Sequence, residues 1–148
     1  MDRHPARPDA KRVSSFETVV SLLGRVIFGG FFLYNGVSHF VNLETMAGYA
    51  ASKGVPAPSL GVGVSGLLLL LGGLSILLGI WTRLGAWLLV LFLVPTSFAI
   101  HNFWAVPDPQ AASIERIQFM KNMALSGASL MISVVPRWPL SLGSRFHR

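Results

Sequence analysis

The chain has 148 residues, of which 52% are hydrophobic and only 12% are charged. This composition favours a small multi-span membrane protein and excludes a second sizeable domain. The net charge of +6 comes from basic residues at the ends and in turns, without a basic stripe interleaved with exposed aromatic residues, so we expect no nucleic-acid partner. The absence of cysteine excludes disulfides, thiol redox chemistry and metal or iron–sulfur centres with cysteine ligands.

The N-terminal part of the chain predicts a tail, a first span and a short surface helix. Residues 1–13 are basic and polar, which is typical of a solvated tail. Ser14 and Glu17 have the spacing of a helix-capping box, so a helix begins there, with its membrane part at residues 19–40. Residues 43–53 have an amphipathic pattern that predicts a helix lying at the membrane interface.

The central stretch, residues 62–101, has Arg83 as its only charged residue. A hydrocarbon core of about 30 Å needs about 20 helical residues at a rise of about 1.5 Å each, so this stretch predicts two spans, at 60–80 and 84–101. The chain folds back between them at Arg83. Unbroken leucine runs lack the alternation of barrel strands, and these spans are therefore helical.

The C-terminal part predicts a loop, a fourth span and a second tail. Residues 102–112 contain prolines and form the loop, and the next helix begins near Ser113. Its membrane part covers residues 117–135. Pro136 ends this helix, and residues 136–148 form a second basic tail.

The distribution of basic residues predicts the topology. If both termini are cytoplasmic, nine of the twelve Lys and Arg residues lie inside, as the positive-inside rule requires. The three basic residues left outside are Lys53, Arg116 and Lys121. We therefore predict an all-α integral membrane protein whose residues 14–135 form an antiparallel four-helix bundle with both termini cytoplasmic.

Three short motifs in this framework resemble the DoxX family. They are a G-x-P-x-P sequence at residues 54–58, a G-x-x-T-R turn at 79–83 and the pair Lys121-Asn122. The likeness covers residues 22–135 and implies a four-helix protein of the inner membrane, often associated with redox systems. Some members of this family are subunits of thiosulfate:quinone oxidoreductase or of a membrane oxidoreductase complex, and many have no assigned activity. Relatives often carry a carboxylate shortly before the Gly-Gly pair of the second span, whereas residues 67–71 are all leucine here.

Polar residues on three predicted spans lie toward the same external end of the bundle. Such residues are costly in a membrane, so each one needs a reason. Asn35 and His39 are four residues apart and share a face of the first span. Ser97 and His101 repeat this spacing on the third span, and Lys121 opens the fourth. The candidate pocket residues are Asn35, His39, Ser97, His101, Asn102, Lys121 and Asn122, and the candidate rim residues are Glu44, Trp104 and Asp108.

Two functions fit this polar cluster. A quinone ring suits it, because the two carbonyls of the ring need donors, which His, Asn and Lys supply beside apolar walls. The chain would then be a subunit of a quinone-linked oxidoreductase, with lipids and either a redox partner protein or a second copy as its neighbours. Alternatively, these residues only satisfy loop carbonyls, and the chain is a non-catalytic anchor, an assembly factor or a carrier of lipid or small solutes.

Other cofactors and an autonomous activity are disfavoured. A haem between His39 and His101 is conceivable, but nothing else marks a haem cleft, so we expect neither haem nor a metal site. The chain has no Walker loop, dinucleotide fingerprint or H-E-x-x-H motif. This excludes an enzyme of the soluble type that acts alone.

Small residues and two arginines have predicted structural roles. Gly72, Gly73 and Gly79 allow close contact between helices. We expect Arg25 either to extend to the cytoplasmic interface or to bind the carbonyls that end the second span. Arg83, in the turn between the second and third spans, is predicted to anchor the topology.

Overall fold

The computed structural model describes residues 14–136 and 138–142, and this part of the chain is helical, without strands. Its helices, in chain order, are α1 (Ser15–Val41), α2 (Leu43–Ser52), α3 (Pro58–Leu78), α4 (Thr82–Ala99) and α5 (Pro109–Ser133). A short 3-10 turn, Phe103–Ala105, lies between α4 and α5. The predicted tail at 1–13, and residues 137 and 143–148 of the second tail, lie outside the described residues.

Three helical stretches are long and apolar enough to cross a membrane. They are α1, α3 and the stretch Thr82–Ala105, which includes α4, and they coincide with the first three predicted spans. α5 has 25 residues and is about 37 Å long at about 1.5 Å per residue, but its first half carries polar and charged side chains. α2, with 10 residues, is too short to span a membrane, as expected of a surface helix.

Local capping decides where α1 and α5 begin. The predicted capping box is confirmed: Ser14 Oγ accepts from the backbone N–H of Glu17 at 3.1 Å, and Glu17 Oε2 accepts from that of Ser14 at 2.8 Å. The predicted start of the last helix near Ser113 is wrong, because α5 begins at Pro109. Asp108 Oδ2 accepts from the backbone N–H of Ala111 at 2.6 Å, and proline suits the first helical position because its missing N–H would have no partner there.

Glycines bring the long helices into close antiparallel contact. A Cβ atom added at Gly73 of α3 would lie 2.8 Å from the backbone oxygen of Gly29 of α1. Further along, a Cβ at Gly36 would lie 2.8 Å from Leu70 Cγ, so α1 and α3 run in opposite directions. A Cβ at Gly72 would similarly lie 2.6 Å from the Cδ2 atom of Leu89 on α4. These approaches are the ones small residues permit in membrane proteins, where packing rather than water exclusion holds helices together.

The apolar core lies among α1, α3 and α4. Five side chains form it, all at most 1% exposed: Phe32, Leu69, Ile76, Leu89 and Leu93. α5 covers this core with Leu125 and Ile132, while α2 packs on the start of α3 through Ala47, Ala50 and Val62.

Arg25 is buried, 3% exposed, at the end of the molecule where α3 stops. Its Nε donates to the carbonyl of Ile76 at 3.0 Å and its Nη2 to that of Leu77 at 2.7 Å. Its Nη1 donates to the carbonyl of Pro139 at 3.0 Å. Of the two expected roles, the structure therefore shows carbonyl binding: Arg25 satisfies the free carbonyls at the end of α3 and fixes part of the predicted second tail against it. Arg83 is exposed in the first turn of α4.

Candidate functional site

A cavity of about 400 Å³ lies at the opposite end of the helices from Arg25. α1 and α4 end beside it, α3 begins there, and the middle of α5 passes along it. Its walls are mainly apolar and include Phe32, Leu69, Phe92 and Leu93. Every helix contributes to its polar lining, which includes Tyr49, Ser65 and Thr96 as well as Asn35, His39, His101, Lys121 and Asn122. The fold thus brings side chains from distant parts of the sequence to one apolar cavity.

Two of the seven predicted pocket residues do not line this cavity. Ser97 is fully buried, and its hydroxyl donates to the carbonyl of Leu93 at 2.7 Å within α4. Asn102 precedes the 3-10 turn and is not part of the lining. The histidines and Lys121 do border the same cavity, as the helical spacing predicted; whether it binds a ligand stays a prediction.

None of the three predicted rim residues is among those that line the cavity. Glu44 is exposed on α2 and does not line the cavity. Trp104 packs its ring against Phe103 and Phe119, with centroids 5.1 and 5.8 Å away. Asp108 caps α5. Proximity in the sequence is the basis of this prediction, whereas ring packing and helix capping give Trp104 and Asp108 other roles.

Glu115 is the site residue that sequence reasoning missed. Its Oε2 atom lies 2.7 Å from Nδ1 of His101, and its Oε1 atom lies 3.4 Å from Nζ of Lys53. Oε1 also accepts a hydrogen bond from the hydroxyl of Tyr49. The Glu115 side chain is only 13% exposed. One carboxylate therefore joins α2, the segment after α4 and α5 at the edge of the cavity, which Tyr49 and His101 both line.

The surroundings keep Glu115 ionised and Tyr49 neutral. Burial raises the pKa of Glu115, but hydrogen bonds from Tyr49 and His101, together with the charge of Lys53, outweigh burial and lower the pKa below its usual value. Burial, reinforced by the hydrogen bond to Glu115 and its charge, raises the pKa of Tyr49. At neutral pH the pair is therefore a carboxylate with a phenol hydroxyl as donor.

A helical pattern in the sequence could have revealed Glu115. Asn122, Ser126, Ser129 and Ser133 form the buried face of α5. Glu115 lies seven residues before Asn122, which places it on the same face of a helix. The predicted membrane part begins at residue 117, and Glu115, two residues before it, is not among the predicted site residues.

The other histidine, His39, is tied to its own helix. Its Nδ1 atom lies 2.8 Å from the backbone carbonyl oxygen of Asn35. The side-chain amide of Asn35 in turn donates to the carbonyl of Phe31 at 2.7 Å. The ring of His39 meets that of Phe92 edge to face, with centroids 5.7 Å apart. These contacts fix the orientation of the imidazole in the cavity wall.

Long apolar helices, close glycine contacts and a cavity with polar groups at one end define a small multi-pass helical membrane protein. The chain belongs to the DoxX family: the DoxX family model matches residues 20–102. It is 26% identical to the inner membrane protein YphA of Escherichia coli K12 over 127 residues, which cover 86% of this chain and 90% of the relative. It is 28% identical to the inner membrane protein YqjF of the same organism over 122 residues, or 82% and 88%.

No solved structure matches the chain. The predicted localisation, a multi-pass protein of the inner membrane, agrees with the names of both relatives and with the three apolar helices. The family assignment confirms the resemblance on which the sequence prediction drew.

Proposed function

We propose that this chain binds the ring of a quinone-type molecule in the cavity and serves as a membrane subunit of a quinone-linked redox complex. The observation that carries the proposal is a cavity of about 400 Å³ that combines mainly apolar walls with the polar side chains of His39, His101 and Lys121. Its volume lies within the range of about 300–1,000 Å³ typical of small-molecule sites.

The lining has the chemistry that such a ring needs. Phe32 and Phe92 supply flat apolar surface for the ring. Lys121 and Asn122 supply hydrogen-bond donors to its oxygen atoms. Phe31 also borders the cavity and is 40% exposed on the outer surface of α1, so a hydrocarbon tail on the ring has a route to lipid. A quinone bound here would supply the redox chemistry, and the chain would supply binding and orientation.

The proposal includes the membrane arrangement. We infer an antiparallel four-helix bundle of α1, α3, α4 and α5 with both termini cytoplasmic, which places the cavity near the external face. The antiparallel contacts among α1, α3 and α4 support it, as does the position of Leu125 of α5 against the shared core. The bias of nine basic residues inside against three outside supports the orientation.

A binding experiment tests the ligand. The purified protein in lipid nanodiscs is titrated with a short-tail benzoquinone, and the heat of binding is measured. We expect saturable binding, and we expect Lys121→Met to weaken it about tenfold, because a hydrogen bond from a charged group contributes about 1.5–3 kcal/mol. Arg116→Met is the matched control, since Arg116 is an exposed cation on the same helix and does not line the cavity.

The outcome separates the two functions. If the unaltered protein shows no saturable binding, or if both variants lose binding equally, the quinone proposal is wrong. The alternative, a non-catalytic anchor, assembly factor or carrier of lipid or small solutes, would then be the better account.

A further inference from the structure

The hydrogen bonds made by the two cavity histidines determine which ring nitrogen carries the hydrogen. A neutral imidazole has one N–H donor and one bare acceptor nitrogen, and the partner of one nitrogen decides the state of the other. His39 and His101 each use Nδ1 for a contact within the protein. Both leave Nε2 as the nitrogen available to a ligand.

For His39, the partner of Nδ1 is a backbone carbonyl, 2.8 Å away. A carbonyl oxygen only accepts, so Nδ1 must carry the hydrogen and donate it. In the neutral ring, Nε2 is then a bare acceptor. None of the hydrogen bonds within residues 14–136 and 138–142 uses this atom.

For His101, the partner of Nδ1 is Oε2 of Glu115, 2.7 Å away. The hydrogen bond donated by the Tyr49 hydroxyl and the charge of Lys53 both favour the ionised form of Glu115, and an ionised carboxylate only accepts. Nδ1 of His101 therefore also carries the hydrogen. In the neutral ring its Nε2 is a second bare acceptor beside the same cavity.

Two acceptor nitrogens require a ligand that donates. The oxygen atoms of an oxidised quinone are carbonyls, which cannot donate to Nε2, whereas the reduced ring carries two hydroxyl groups, which can. We propose, on the basis of the function proposed above, that the cavity recognises the hydroquinone form through hydrogen bonds from its hydroxyls to His39 and His101. Glu115 is the positioning residue that fixes the tautomer of His101. Sequence reasoning had assigned the histidines as donors to quinone carbonyls.

Lys121 is compatible with this preference. A phenol oxygen accepts a hydrogen bond while its hydrogen is donated elsewhere, so the Lys121 ammonium can donate to a ring hydroxyl that itself donates to an imidazole. Asn35 also lines the cavity, and its amide nitrogen already donates to the carbonyl of Phe31, so the side-chain oxygen is the amide atom that remains to accept a hydrogen bond.

Binding of the two redox forms tests the proposal. The full chain in nanodiscs at pH 8 is titrated anaerobically with one short-tail benzoquinone and with its hydroquinone. We expect the hydroquinone to bind at least tenfold more tightly, because a carbonyl opposite a bare Nε2 leaves a desolvated acceptor without a partner. Equal affinities, or tighter binding of the quinone, would overturn the proposal while leaving the proposed function standing. Failure of both forms to bind would overturn both.

Glu115→Gln tests the positioning role. Lys53 only donates, so the amide oxygen of the new side chain stays on the side of Lys53 and its NH₂ group turns to His101. Nδ1 of His101 then becomes an acceptor and Nε2 takes the hydrogen. We expect the preference for hydroquinone to fall about tenfold. Glu44→Gln makes the same chemical change at an exposed glutamate on α2, outside the cavity, and should leave the preference unchanged.

A spectroscopic measurement tests the tautomers without a ligand. The chain contains four histidines, so ¹⁵N labelling of histidine gives few signals, and those that disappear in His101→Gln belong to His101. We expect the protein at pH 8 to show Nδ1 of His101 protonated and Nε2 bare, and the reverse in Glu115→Gln. A protonated Nε2 in the unaltered protein would overturn the proposal, even if Glu115→Gln did not fold.

Discussion

The contact between Gly73 and α1 gives the sharpest test of the packing. Replacing Gly73 with leucine puts a Cβ atom 2.8 Å from the backbone oxygen of Gly29 and 3.0 Å from the backbone nitrogen of Leu33. Backbone atoms cannot rotate aside as a side chain can. α1 and α3 must therefore separate by roughly 0.6 Å, the difference between 2.8 Å and the 3.4 Å at which ordinary contact begins, before the rest of the leucine is placed.

The expected loss of stability follows from that separation. Overpacking a well-filled interior costs typically about 1–3 kcal/mol, and we expect Gly73→Leu to reach the upper end, since the contact between α1 and α3 includes the core residue Phe32. Gly63→Leu is the matched control on the same helix, because a Cβ there meets nothing within 4 Å. Thermal unfolding in detergent, followed by circular dichroism, measures both. Equal melting temperatures for the two variants would refute the close contact.

Three further predictions concern the topology, the Glu115 cluster and Arg25. A cysteine at Ser52 should react with an impermeant thiol reagent from the external side, and reaction only from the cytoplasmic side would contradict the proposed orientation. Because the pKa of Glu115 is lower in the folded state, its contribution to stability is present above the ordinary carboxyl pKa, about 4.3, and is lost as the pH falls through the folded value. We therefore expect the melting temperature to drop at acidic pH, and to drop less in Glu115→Gln; an equal drop would show that Glu115 is not responsible. Arg25→Met should lower stability by about 1–3 kcal/mol for each carbonyl left without a donor, measured by the same thermal assay. Arg83→Met, at an exposed position, is its control and should unfold close to the unaltered protein.

Much of the fold could be predicted because it depends on short-range signals. The capping box of Ser14 and Glu17 set the start of α1, and the length of apolar sequence set the spans. Pro109 is predicted to lie in a loop before a helix that begins near Ser113, but it occupies the first position of a helix capped by Asp108. Proline is found both just after the end of a helix and at its first position. A capping residue directly before it, here Asp108, indicates the start of a helix.

The candidate site was harder to predict because its chemistry depends on tertiary partners. Helical spacing brought His39 and Asn35 to one face, and the cavity is there. The pairing of Glu115 with His101 and with Tyr49 of α2 joins parts of the chain that no spacing rule relates. Whether an imidazole donates or accepts depends on such partners, which the sequence alone does not identify.

The contacts of the buried Arg25, at the other end of the molecule, could also be predicted only in part. The carbonyls of α3 were foreseen as partners of Arg25, because helix ends leave carbonyls free. Its bond to the carbonyl of Pro139 spans 114 residues of sequence. The charge of the segment after α5 predicts only a basic cytoplasmic tail, because composition records charge and not the contacts that the fold supplies.

Photolabelling is the most direct test of the claim that the cavity binds a quinone ring. The protein in nanodiscs is irradiated with an azido-benzoquinone, and the modified residues are identified by mass spectrometry. We expect labels on cavity-lining residues such as Phe32, His39, Phe92, His101 and Lys121, and we expect an excess of unlabelled quinone to remove them. Labels confined to outward-facing residues such as Val19 and Ile27, or labels that the unlabelled quinone does not displace, would contradict it.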